Sequence, residues 1–159
     1  MNAMTIFWLV AQDAFWSGVA ALGFAVLFNV PVRTLPACAL GGAVGHATRT
    51  LLMQFGLQIE TAALAGATVI GFLSIFFARR WRAPAPVFAV TGAIPMVPGT
   101  FAFRTMMGLL TLTSTGIDAN ASLLVEISLN AVKTALILGA LAAGIAAPVL
   151  FFRRRRPIG

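Results

Sequence analysis

The chain has 159 residues, 60% of them hydrophobic and only 9% charged, with a mean hydropathy of +0.96. A soluble domain carries about a quarter charged residues, so this composition excludes a soluble catalytic domain and places the chain in the membrane class. The net charge of +7 sits at the ends of apolar runs, which points to membrane orientation and away from nucleic acid as a partner.

At about 20 residues per span, five apolar segments read as an all-α membrane bundle in one transmembrane domain over residues 1–159. The first, Thr5–Phe28, lacks a positive leading region and is too long for the apolar core of a signal peptide, so a retained helix is expected. It carries Asp13 and ends at the turn Asn29-Val30-Pro31. The second, Pro36–Phe55, contains His46, Arg49 and the small-residue face Gly41 to Gly45, a weak signal of close helix contact. Cys38, the only cysteine, reads as a small packing residue, with no disulfide framework or thiol cluster. The third, Thr61–Ala78, is bounded by Arg79, Arg80 and Arg82. After Ala83-Pro84-Ala85-Pro86, the fourth, Pro86–Leu112, is interrupted. The turn Thr115-Gly116-Ile117-Asp118 leads to the fifth, Ser122–Phe152, long enough to tilt.

Five spans put Arg33, the Arg79–Arg82 loop and the run Arg153 to Arg156 on one side, while Glu60 and Asp118 fall on the other. The positive-inside rule then places the C-terminus in the cytoplasm and the N-terminus outside. Four or six spans would split the basic groups. The arginine tail suits anionic headgroups of the bilayer or a partner contact equally well.

The interruption is Ile94-Pro95-Met96-Val97-Pro98-Gly99. Each proline removes a donor and clashes with the preceding turn, so the helix must break or kink; a simple packing kink is the alternative, and in hydrocarbon a break belongs beside protein or a wet cavity. Transporters use discontinuous helices of this kind where solute binds. The half-helix starting at Gly99-Thr100 presents free N–H groups to an anion, with Thr100 as an expected cap and Arg104 one turn in.

Asp13, His46, Arg49, Arg104, Glu126 and Lys133 all fall inside predicted spans, where a charge costs about 2.5–3.5 kcal/mol at the centre. His46 and Arg49 share a helix face, and Glu126, Asn130 and Lys133 form a polar stripe on the fifth segment. The expected partners are Arg49 or Arg104 for Glu126 and Asp13 for Lys133, with Asn130 bridging. Internal ion pairing remains an alternative to function for Asp13 and Glu126. Three cations against two carboxylates leave an excess that an anionic or zwitterionic solute with a carboxylate would satisfy, bound by Arg49, Arg104, Lys133, Pro98, Gly99, Thr100 and Asn130. Asp13, His46 and Glu126 are the candidates for carrying a proton, His46 because it titrates near neutrality. One histidine without neighbouring ligands makes no metal site, no cofactor is expected, and no nucleophile–base constellation marks an enzyme.

Phe28-Asn29-Val30-Pro31-Val32-Arg33, Gly45-His46-Ala47-Thr48-Arg49 and Ile94-Pro95-Met96-Val97-Pro98-Gly99, in that order, resemble the small membrane subunit of the bacterial threonine/serine exporter family. Ala11-Gln12-Asp13 is similar as well. The resemblance implies a proton-driven exporter of threonine and serine, or of a dicarboxylate such as succinate, completed by a second membrane subunit. A hetero-oligomer is therefore expected, with a homo-oligomer as the alternative. Two rival readings are a non-transporting assembly subunit and an uncoupled anion channel.

Overall fold

A computed structural model describes residues 2–115 and 121–152. Gly116 to Asp118 and the run Arg153 to Arg156 lie outside these residues. The described chain is helical throughout, with α1 (Ala3–Leu27), α2 (Leu35–Gln54), α3 (Ile59–Trp81), α4 (Ala85–Ala93), α5 (Gly99–Thr115) and α6 (Ala121–Phe152). Short 3-10 turns, Val32–Thr34 and Ile94–Met96, precede α2 and α5. This is an all-α membrane bundle, as the composition requires.

Helix ends follow local chemistry. Asn29 after α1 has φ 54° and Gly56 after α2 has φ 88°, left-handed positions that asparagine and glycine tolerate. Pro36 stands in the first turn of α2, where no N–H is missed. The third helix outruns its apolar segment, because Arg79 and Arg80 occupy its last turn, where cations favour the carbonyl end.

Met4–Leu27, Ile59–Trp81 and Ala121–Pro148 are each long and apolar enough to cross a membrane. Ala85–Met96 and Gly99–Ser114 make a fourth such length only as a pair, bent by 57° at the prolines. The 20-residue α2 has length enough, but His46, Thr48, Arg49, Thr50 and Gln54 lower its apolarity. It lies instead at the centre of the bundle, against α1, α3 and α4.

Small residues make that central position possible. A Cβ at Gly42 would stand 3.1 Å from the Ser17 carbonyl of α1, and one at Gly66 of α3 only 2.6 Å from the Gly45 carbonyl. The Gly41–Gly45 face is thus used inside the chain. On the far side, α6 packs against α3 through Gly144, whose Cβ would meet the Leu64 carbonyl and the Ala67 side chain at 2.7 Å. Ala63, Ala67, Ile70, Ala93, Met96, Ile137 and Leu141 form the core there. A second cluster gathers Phe77 and Phe88 with Cys38, flanked by Trp81.

Overpacking costs about 1–3 kcal/mol where backbone must yield. Gly144→Ala should therefore lower the thermal midpoint of the purified chain in detergent. Gly139→Ala, where a Cβ meets nothing within 4 Å, should not lower it and should raise it slightly through helix propensity.

Candidate functional site

Pro95 and Pro98 end α4 and redirect the backbone. Gly99 N–H turns back to the Val97 carbonyl (2.8 Å) and Val97 N–H to that of Ile94 (3.0 Å). An unbroken helix would have supplied the Pro95 and Met96 carbonyls from Gly99 and Thr100. Those two carbonyls instead face α2. His46 Nε2 donates to the Pro95 carbonyl (3.2 Å) and Arg49 Nη1 lies 3.4 Å from that of Met96. Side chains three apart on one helix thus cover adjacent peptide groups freed by the break.

Asp13 closes the other side of the histidine. His46 Nδ1 is 2.7 Å from Asp13 Oδ2, the only ion pair among the described residues, and the Thr50 hydroxyl donates to the same oxygen. His46 is buried, Asp13 half-buried. Thr50 is the residue that sequence reasoning missed. Its signal was present: it follows His46 by one helical turn on the face carrying Arg49.

The break opens onto a cavity of about 400 Å³. His46, Arg49, the backbone from Pro95 to Phe101, Ile59 and Ile137 line it, so α2, α3, the break and α6 all contribute walls. Arg49 Nε is buried without a partner. The N–H groups of Thr100 and Phe101, in the first turn of α5, have no backbone acceptor, as expected at a helix start. Thr100 lies inside that turn, two residues past the cap position, which Pro98 occupies, so it is not the cap. The nearby carbonyls are already engaged: Ile94 by Val97, Pro95 by His46, Met96 by Arg49 and Val97 by Gly99. This pocket is rich in free donors and poor in free acceptors.

Of the expected site residues, the fold brings together His46, Arg49, Pro98, Gly99 and Thr100 on the cavity, with Asp13 behind His46. Arg104 and Glu126 share a different groove of about 240 Å³ between α5 and α6, and no ion pair joins them. Lys133 is exposed on α6, its Nζ 5.5 Å from the centre of the Phe101 ring. That contact is worth about 2 kcal/mol when desolvated, less than the roughly 3 kcal/mol an ammonium costs at the centre of a span. Asn130 is buried on α6 and lines neither cavity. The expected Asp13–Lys133 and Arg49–Glu126 partnerships do not form. Their helices are not neighbours, because α6 packs on α3 and α5 whereas α1 packs on α2.

A hydrogen bond to a charged group contributes about 1.5–3 kcal/mol. Thr50→Val should destabilise the chain by that order in a denaturant melt, and Thr50→Ser should restore most of it. An unchanged melt for Thr50→Val would refute the bond.

Over residues 13–151 the sequence matches the family described as Threonine/Serine exporter, ThrE. No solved structure matches the chain.

Proposed function

The chain belongs to the threonine/serine exporter family, and from that premise we propose that it is one membrane subunit of a proton-coupled inner-membrane exporter of small carboxylate-bearing metabolites. A second membrane subunit completes it. Five spans, counting α2 and the bent pair as one each, put the N-terminus outside and the C-terminal arginines in the cytoplasm.

The observation carrying this reading is the donor-rich cavity at the break. A carboxylate offers acceptors only, and Arg49 with the opening N–H groups of α5 offers donors only. The lining holds no Asp or Glu, and the Pro95, Met96 and Val97 carbonyls each already accept one hydrogen bond, which leaves an ammonium their second lone pairs and the Thr100 hydroxyl but no carboxylate. Within the family's range this favours a dicarboxylate such as succinate over threonine or serine.

Hydrogen-bond accounting supports the proton. The Pro95 carbonyl accepts only, so the contact at His46 Nε2 requires a hydrogen there. One further proton then sits between His46 Nδ1 and Asp13 Oδ2, on either atom. With it gone, a lone pair would face a carboxylate oxygen at 2.7 Å. Either the ring moves its remaining hydrogen to Nδ1 and abandons the Pro95 carbonyl, or α1 and α2 separate. Occupancy by one proton is thereby tied to the geometry of the break beside the solute.

A second reading has one observation in its favour: His46 and Arg49 already cap freed carbonyls, so they would serve equally to staple a broken helix in an assembly subunit. Efflux from cells expressing both subunits separates the two. Arg49→Ala should lower export at limiting solute about 10–100-fold, the equivalent of one charged hydrogen bond, with the amount of assembled complex unchanged. Loss of complex in step with export would favour the staple, and unaltered export would refute the site. Asp13→Asn should abolish the acceleration of export by an imposed proton gradient; a response equal to that of the unmodified chain would exclude coupling through the pair.

A further inference from the structure

We infer that the outward face of α5 and α6 is a docking surface, within the bilayer, for a membrane-spanning chain of different sequence that carries carboxylates. This rests on the membrane-subunit reading above and not on its solute or its proton. Arg104 and Glu126 line one groove of this face, Lys133 follows Glu126 by seven residues along the same side of α6, and all three are exposed. Lys133 lies about 18 Å from the start of α6 at Ala121 and about 22 Å from Pro148, at the rise of a helix, so its ammonium reaches neither membrane surface. Charged groups at that depth face protein or water rather than acyl chains.

The helices are open to a neighbour. Within the chain, α5 packs chiefly on α6 alone, which leaves a crevice on each side of the contact. One is the groove holding Arg104 and Glu126, with Met107 and Thr111. The other, of about 390 Å³, is apolar, lined by residues such as Met106, Leu109 and Leu138. A polar groove beside an apolar one suits interhelical packing in a membrane, where small contacts and hydrogen bonds hold helices together.

Charge identifies the occupant. The face carries two cations and one carboxylate, and Asp13, the other carboxylate near mid-span, is engaged by His46 and Thr50. A second copy would pair Arg104 with the opposite Glu126 but double the excess positive charge. A partner bringing Asp or Glu at the depth of Lys133 removes it.

Photo-crosslinking in native membranes tests this. Benzoylphenylalanine at Met107 and Leu129, both exposed on this face, should join the chain to one membrane protein bearing Asp or Glu within a span. The same group at Val19, exposed on α1, should not. Lys133→Glu should cut the adduct at least tenfold, and an acidic-to-lysine change in the crosslinked span should restore it. Lys133→Met should also lose the adduct while the isolated chain melts as before. Adducts with lipid alone, with a second copy, or with a chain lacking membrane carboxylates would overturn the inference. So would an adduct indifferent to charge reversal, or a Lys133→Met chain whose melt falls as far as its adduct. Because adduct yield needs neither solute nor gradient, failure of the export reading leaves this result distinguishable.

Discussion

Hydrocarbon offers no hydrogen bonds, and that single constraint organises the middle of this protein. Two prolines turn the backbone at Ile94–Met96, so the Pro95 and Met96 carbonyls lose Gly99 and Thr100 as helical donors and must be answered from elsewhere in the chain. The answer comes from α2, which spends its apolarity to do it: His46 and Arg49 cover the Pro95 and Met96 carbonyls, and Thr50 steadies the Asp13 that steadies His46. A helix so polar is tolerable only at the centre of the bundle. Its glycines secure that place by letting α1 and α3 approach its backbone.

From this follows the asymmetry of the cavity. Capping consumes acceptors, since each freed carbonyl receives a donor, yet the restart of α5 leaves N–H groups free and Arg49 keeps one nitrogen unpaired. A broken helix capped by basic side chains thus leaves unpaired donors at its cavity, the basis for the anion site we propose. The same groups hold the bundle and line the cavity. The Asp13–His46 contact lies one residue away from this arrangement, because His46 also holds the Pro95 carbonyl.

Polar residues of the membrane segments fall into two populations. One is drawn inward to the break; the other, Arg104, Glu126 and Lys133, stands on a face the chain leaves uncovered. A single pocket for all of them is what charge counting suggested. The packing prevented it: α1 lies against α2, whereas α6 lies against α3 and α5. An outward-facing lysine in mid-span is the observation from which we infer a partner chain.

Composition, apolar run lengths and the spacing of Pro95, Pro98 and Gly99 were enough to determine an all-helical membrane chain, a break in its fourth segment and a restart at Gly99, because each is a local steric or solvation effect. Helical spacing also placed His46 and Arg49 on one face, and would have added Thr50. What sequence could not decide was which helices are neighbours. Depth along a span constrains a charge to a level, but the azimuth of its helix and the identity of the adjoining one come from packing of small residues such as Gly42, Gly45, Gly66 and Gly144. Only that packing gave Asp13 to His46 rather than to Lys133, and turned Arg104 and Glu126 away from the break.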